Sequence, residues 1–170
     1  APGLINAHNH LYEIASRGLG KDWGTEGCLA KSIYPVDRFM QGDDYYHAAL
    51  VALGDSLRQG TTAVIEQLTN YARFHADREF EAYLQTGIRG AVARASTNRP
   101  TIDPGENRSE EEDLKASEAF LKKWSDGERV TPRLGPSGIF SCTGEMLKRL
   151  KDMSLEYGTR FKTHLNETKL

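Results

Sequence analysis

The sequence predicts an α/β fold in which parallel strands alternate with helices. Three observations lead there. Five strand-like segments alternate with four helical ones along the chain. Each predicted helix runs out at a glycine, at Gly60, Gly87, Gly127 and Gly158, the residue best suited to ending a helix. No G-x-G-x-x-G or G-x-x-x-x-G-K-[ST] motif follows the first strand. Strict βαβα order implies parallel strands covered by helices. A closed barrel and an open doubly wound sheet both satisfy that order, and the missing phosphate-binding motif weakens the nucleotide-binding version of the open sheet.

The first predicted strand, Gly3 to Ala7, leads into His8-Asn9-His10. A long connection follows through Tyr34-Pro35. The helix predicted over about 43–59 carries Tyr46, Leu50, Leu53 and Leu57 at helical spacing. Thr61 to Ile65 reads as the second strand, and the next helix, 74–86, places Phe80 and Leu84 on one side. Ile88 to Ala95 is the third strand. The loop 98–108 holds Pro100, Pro104 and Gly105, residues of surface turns. Ser109 and Glu112 form a capping box for a helix whose buried stripe is Leu114, Ser117, Leu121 and Trp124. The fourth strand spans Val130 to Leu134 and contains Pro132. The helix over 143–157 presents Met146, Leu147, Leu150 and Ser154. The fifth strand, Arg160 to Leu165, runs into Asn166-Glu167-Thr168.

The 170 residues suffice for one domain with a core, but fall short of the ~250 typical of a complete (β/α)₈ barrel. Hydrophobic content of 38% and charged content of 27% describe a soluble globular chain. The net charge of −2 gives no basic excess for nucleic acid and no tail for a membrane surface. Cys28 and Cys142 make neither a disulfide framework nor a zinc knuckle, which points to a reducing, cytoplasmic setting. The chain opens Ala1-Pro2-Gly3 and stops at Lys169-Leu170, and it reads as an excerpt of a longer polypeptide.

His8 and His10 stand two apart at the end of an apolar strand, so their side chains face the same way. Two imidazoles on one side can reach a single ion at ~2.0–2.1 Å. In parallel βα folds the C-terminal strand ends form the active-site rim. His164 ends the fifth strand on that same rim, and Glu167 follows three residues later, within reach of moving a proton between water and a substrate. The competing reading makes the histidines polar residues at strand exits and Glu167 a solvated loop acid.

Pro2 to His10 resembles the first-strand motif of the amidohydrolase superfamily. Gly60-Thr61-Thr62 resembles that family's approach to its second strand. Gly135-Pro136-Ser137 with Ser141-Cys142-Thr143 resembles its fourth-strand segment. Thr163 to Thr168 is similar to the fifth-strand motif of its cytosine deaminase, atrazine chlorohydrolase and adenosylhomocysteine deaminase branch. The resemblance implies a (β/α)₈ barrel, of which residues 1–170 supply about the first five βα units. It implies one divalent metal ion, zinc with iron as the alternative, held by His8, His10 and His164. Glu167 matches the acid/base that protonates a ring nitrogen of the substrate. The reaction implied is hydrolytic deamination of an amino-substituted heterocycle of purine, pterin or triazine type. Hydrolysis of another C–N or C–Cl bond, and a catalytically silent barrel, are the alternatives. No lysine ends the fourth segment, which favours one metal over two. The family's sixth-strand histidine, eighth-strand aspartate and β-sandwich domain are expected outside this sequence. Residues 1–170 alone are therefore expected to be inactive and to expose an open barrel edge. The partners implied are a small-molecule substrate and, at full length, further copies of the chain.

Six further positions enter the expected site. Glu13, three residues past His10, falls where the resemblance places a substrate-facing residue. Gln67 and Arg94, near strand ends, are expected as substrate-binding residues, and Trp23 and Tyr34 as pocket lining. Lys162 shares the side of His164 and is expected to pair with an acid such as Glu66. His47 and His75 are read as helix-surface or packing residues.

Overall fold

The computed structural model describes residues 1–100 and 107–167. The centre of the loop predicted over 98–108, and Thr168 of the fifth-strand motif, lie outside the described residues. The chain begins with β1 (Leu4–Asn9) and a 3₁₀ turn, Leu11–Ser16. A short α1 (Thr25–Cys28), a π-helical turn and α2 (Tyr34–Asp37) follow, then α3 (Gly42–Arg58) and β2 (Thr61–Leu68). A second 3₁₀ turn, Asn70–His75, precedes α4 (Ala76–Thr86) and β3 (Arg89–Ser96). The remainder is α5 (Glu110–Trp124), β4 (Val130–Pro136), a 3₁₀ turn at Ile139–Ser141 and α6 (Gly144–Glu156).

The strands lie in the order β1-β2-β3-β4, each parallel to the next. A doubly wound sheet reverses its strand order at a switch point. Here the order advances without reversal, as the wall of a (β/α)₈ barrel does. Val64 and Leu68 of β2, Val92 of β3 and Val130 of β4 pack with Tyr45, Ala49 and Leu53 of α3, Phe80 and Tyr83 of α4 and Phe120 of α5. Leu134 of β4 joins Leu114 and Leu121 of α5 and Met146 and Leu150 of α6 in a second cluster. Helix α5 thus serves both. Among the described residues no helix is long and apolar enough to cross a membrane.

Several local expectations change. The segment through Tyr34-Pro35, expected as a connection, is helical, and Pro35, which lacks an N–H, falls where a π-helical turn, Leu29–Ile33, runs directly into α2. The buried stripe of α3 is Tyr45, Ala48, Ala49 and Leu53, while Leu57 is 40% exposed. Tyr45 sets that rotation: its hydroxyl donates to Asp37 Oδ1 at 2.7 Å. In α4 the inward face is Ala76, Glu79, Phe80 and Tyr83, and Leu84 is 54% exposed. The capping box of α5 forms as expected, Glu112 N–H to Ser109 Oγ at 3.3 Å and Ser109 N–H to Glu112 Oε2 at 3.0 Å.

The expected fifth strand is the largest difference. Residues 160–165 run beside β4 but meet it in two isolated parallel bridges, Leu134 to Phe161 and Gly138 to His164. Four steps on β4 oppose three on its neighbour, so one extra residue interrupts the ladder, as in a bulge. Gly135 permits the approach: a Cβ there would stand 1.6 Å from the Lys162 carbonyl oxygen.

Candidate metal centre

Three imidazoles converge at the C-terminal ends of the strands. Asn9 pairs with Glu66 of β2, and Glu66 shares the parity of the core residues Val64 and Leu68. His8 and His10, one step either side of Asn9, therefore face away from the helices. The bridge to Gly138 brings His164 alongside. One ring nitrogen from each of His8, His10 and His164 lies within 4.8 Å of the other two. The His8 ring stands edge-on to both neighbours, with centroids 5.0 Å from His10 and 4.8 Å from His164.

Main-chain carbonyls decide the protonation of two of these rings. His10 Nδ1 lies 2.6 Å from the Gln67 carbonyl oxygen, and His164 Nδ1 contacts that of Ser137. A carbonyl only accepts, so each Nδ1 carries the proton and each neutral ring presents a bare Nε2. Those two Nε2 atoms are 3.1 Å apart. Two lone pairs at that separation repel unless a cation lies between them. Two nitrogens of one tetrahedral ion bound at ~2.0–2.1 Å stand about 3.3 Å apart. The donor set fits a divalent ion.

The electrostatics favour the neutral form of His10 and His8. Burial lowers the His10 pKa to about 3, with His164 adding to the effect and the Gln67 bond opposing it. His8 is lowered by burial, then by the Lys162 ammonium and by His164. Neutral imidazoles are the form that ligates a metal.

Glu13 sits in the 3₁₀ turn just past His10, and both line a cavity of about 360 Å³. Burial, then the charge of Asp37, raises its pKa to about 7. The Tyr12 hydroxyl opposes this, and Glu167 adds a further push. Glu167 is exposed and follows Asn166, which adopts φ 55.

The remaining residues expected at the site make other contacts than those expected. Arg94 is turned into the strand–helix layer, where its guanidinium bonds Asp113 Oδ1 at 2.6 Å and Ser117 Oγ at 2.8 Å. Its parity is that of its register partners Leu68 and Leu134, both in the core. Gln67 is fully buried, and its Nε2 donates to Pro136 O at 3.1 Å. Lys162 forms no ion pair with Glu66 among the described residues. Its ammonium lies 3.4 Å from Ile65 O, and burial lowers its pKa to about 8, with Glu66 opposing and Arg133 assisting. The Glu66 carboxylate instead accepts from Leu11 N–H at 2.9 Å. Trp23 and Tyr34 do not line the cavity beside His10. Lys31 stands over the Trp23 ring, 5.3 Å from its centroid. His75 stacks on Tyr45 at 4.5 Å, and His47 is exposed against Tyr46.

Sequence reasoning missed the Tyr12 support. Tyr12 is buried, its hydroxyl 2.8 Å from Thr69 Oγ1, and Asn70 Nδ2 donates to it at 3.3 Å. Tyr12 lies in the 3₁₀ turn past β1, where strand parity gives no signal. The carbonyls of Gln67 and Ser137 carried no signal, because main-chain acceptors are common to every residue.

The sequence model of the amidohydrolase family matches residues 1–170. The 5'-deoxyadenosine deaminase of Methanopyrus kandleri is 30% identical over 168 residues, covering 98% of this chain and 37% of that protein. The 5-methylthioadenosine/S-adenosylhomocysteine deaminase of Dictyoglomus thermophilum is also 30% identical, covering 99% and 37%. The chain thus spans little more than a third of the length of these relatives. The crystal structure of atrazine chlorohydrolase from Arthrobacter aurescens complexed with zinc superposes with a TM-score of 0.83 at 27% identity, covering 96% of this chain and 40% of that one.

Proposed function

The chain belongs to the amidohydrolase family, and we propose that its full-length protein hydrolytically deaminates an amino-substituted heterocycle of purine, pterin or triazine type. The observation that carries this reading is the pair of bare Nε2 atoms 3.1 Å apart, each fixed by a main-chain carbonyl, with a glutamate three residues past the second histidine. His8, His10 and His164 would hold one divalent ion, with zinc favoured by the zinc-bound relative. Such an ion supplies the Lewis acidity that makes water a nucleophile at neutral pH. The water oxygen would bond to an amidine-like carbon while Glu167 carries one water proton to a ring nitrogen, and the second water proton would pass to the amino group as the C–N bond breaks and ammonia departs. Glu13 accepts hydrogen bonds from substrate N–H groups.

The full-length protein is proposed to complete the barrel that residues 1–170 begin. Two free cysteines, Cys28 and Cys142, suit a cytoplasmic setting, and a homo-oligomer is proposed for the whole protein. Likeness to a chlorohydrolase favours one second reading, cleavage of a C–Cl bond at the same site. A screen of the full-length protein for ammonia and chloride release against amino- and chloro-substituted purines, pterins and triazines tests both. Ammonia release from at least one heterocycle is expected. Chloride release alone supports the second reading, and release of neither refutes both.

A further inference from the structure

Gln67 is tied to two metal-site histidines at once. We propose that Gln67 is a positioning residue that sets the orientation of both His10 and His164, through its own carbonyl and through its side-chain amide. The inference rests on the reading of those histidines as metal ligands.

The first tie is direct. The Gln67 carbonyl accepts the Nδ1 proton of His10 at 2.6 Å. The second tie crosses the sheet. Val64 and Leu68 lie in the core beneath the helices, so Gln67 has the opposite parity and faces the side that carries the three imidazoles. From there its Nε2 donates to Pro136 O of β4 at 3.1 Å. Strands β2 and β4 are not neighbours, because β3 separates them. The residues of β3 on the crossed face are Ala91, Ala93 and Ala95, all fully buried, and Ala93 is the register partner of Gln67. Small side chains there leave the amide room to pass. The next carbonyl along β4 from Pro136 is that of Ser137, which accepts the Nδ1 proton of His164.

The amide is therefore a strut between the two main-chain segments that orient the two rings. Its orientation is settled by chemistry, since Pro136 O only accepts and must face the NH₂. Its Oε1 is buried with no partner among the described residues. An unpaired buried acceptor is costly, and volume alone would be served as well by methionine. The bond to Pro136 is the function that calls for an amide.

The test uses the full-length protein with Gln67→Met and Gln67→Asn. Methionine keeps the volume and the main-chain carbonyl but cannot donate. Asparagine keeps the amide but is one methylene too short to reach Pro136. Zinc affinity of the metal-free protein is measured by chelator competition, with the cobalt(II) absorption spectrum and the melting temperature of the metal-free protein alongside. Loss of an outer partner of a ligand costs roughly ten- to a hundredfold in metal affinity, and the Pro136 bond acts one link further out, so a smaller fall of about three- to tenfold is expected. Both variants are expected to bind zinc that much more weakly and to show an altered cobalt spectrum, at unchanged metal-free melting temperature. Unchanged zinc affinity overturns the proposal. A raised KM with unchanged zinc affinity also overturns it and makes Gln67 a substrate contact. A matching fall in metal-free melting temperature reduces the role to packing and overturns it too. If the unsubstituted protein binds no zinc, the metal reading itself fails, and this proposal with it.

Discussion

At the scale of residues, the site works by removing choice. His10 and His164 each spend one nitrogen on a carbonyl, which leaves the other nitrogen bare and aimed. Glu167 is exposed at a turn, which suits the proton carrier proposed for it. Glu167→Gln in the full-length protein is expected to lower kcat by about 10²–10⁴-fold with metal content unchanged, and equal loss of metal would contradict the assignment. Glu13 yields a prediction about pH. Its native pKa is raised to about 7 from an ordinary 4.5. Between those values the native state keeps a proton that the unfolded state has lost, so stability falls as pH rises through that window. Glu13→Gln should flatten this slope in chemical denaturation of the metal-free protein, and an unchanged slope would refute the burial argument. The convergence of the three histidines was legible in the sequence because their strand-end positions put them on one rim. Arg94 was misread because its position near a strand end was known but its parity, set by Leu68 and Leu134 across the sheet, was not.

At the scale of elements, glycines and caps made the helices legible, while the buried faces were less so. Leu53 and Leu57 of α3 have the same spacing and chemistry in the sequence, yet the structure buries one and exposes the other. Tyr45 decides between them, because its hydroxyl needs Asp37 and turns the helix by one position. That polar bond is invisible to hydrophobic periodicity. Leu53→Ala should cost about 2–5 kcal/mol, and Leu57→Ala no more than about 0.5 kcal/mol, by equilibrium urea unfolding. Equal costs would show that the helix sits in the rotation the periodicity suggested. The fifth segment was expected as a regular strand, and the alternation of Phe161, Thr163 and Leu165 with Arg160, Lys162 and His164 supports one. The one-residue mismatch with β4 that breaks its ladder comes from register, a property of two segments together.

At the scale of the whole molecule, sequential strand order distinguishes a barrel wall from an open doubly wound sheet, which alternation alone left undecided. Among the described residues β1 pairs on one side only, and Leu4 and Ile5 are 64% and 72% exposed. An unpaired apolar edge is a template for association. Residues 1–170 produced alone should therefore self-associate in sedimentation velocity, and a monodisperse monomer would contradict this. The central claim is that His8, His10 and His164 hold one divalent ion. Its most direct test is metal stoichiometry by elemental analysis of the full-length protein and of its His8→Ala, His10→Ala and His164→Ala variants. The account predicts about one zinc or iron per chain in the unsubstituted protein and a loss of most of it in each variant. Full metal content in any of the three would contradict it.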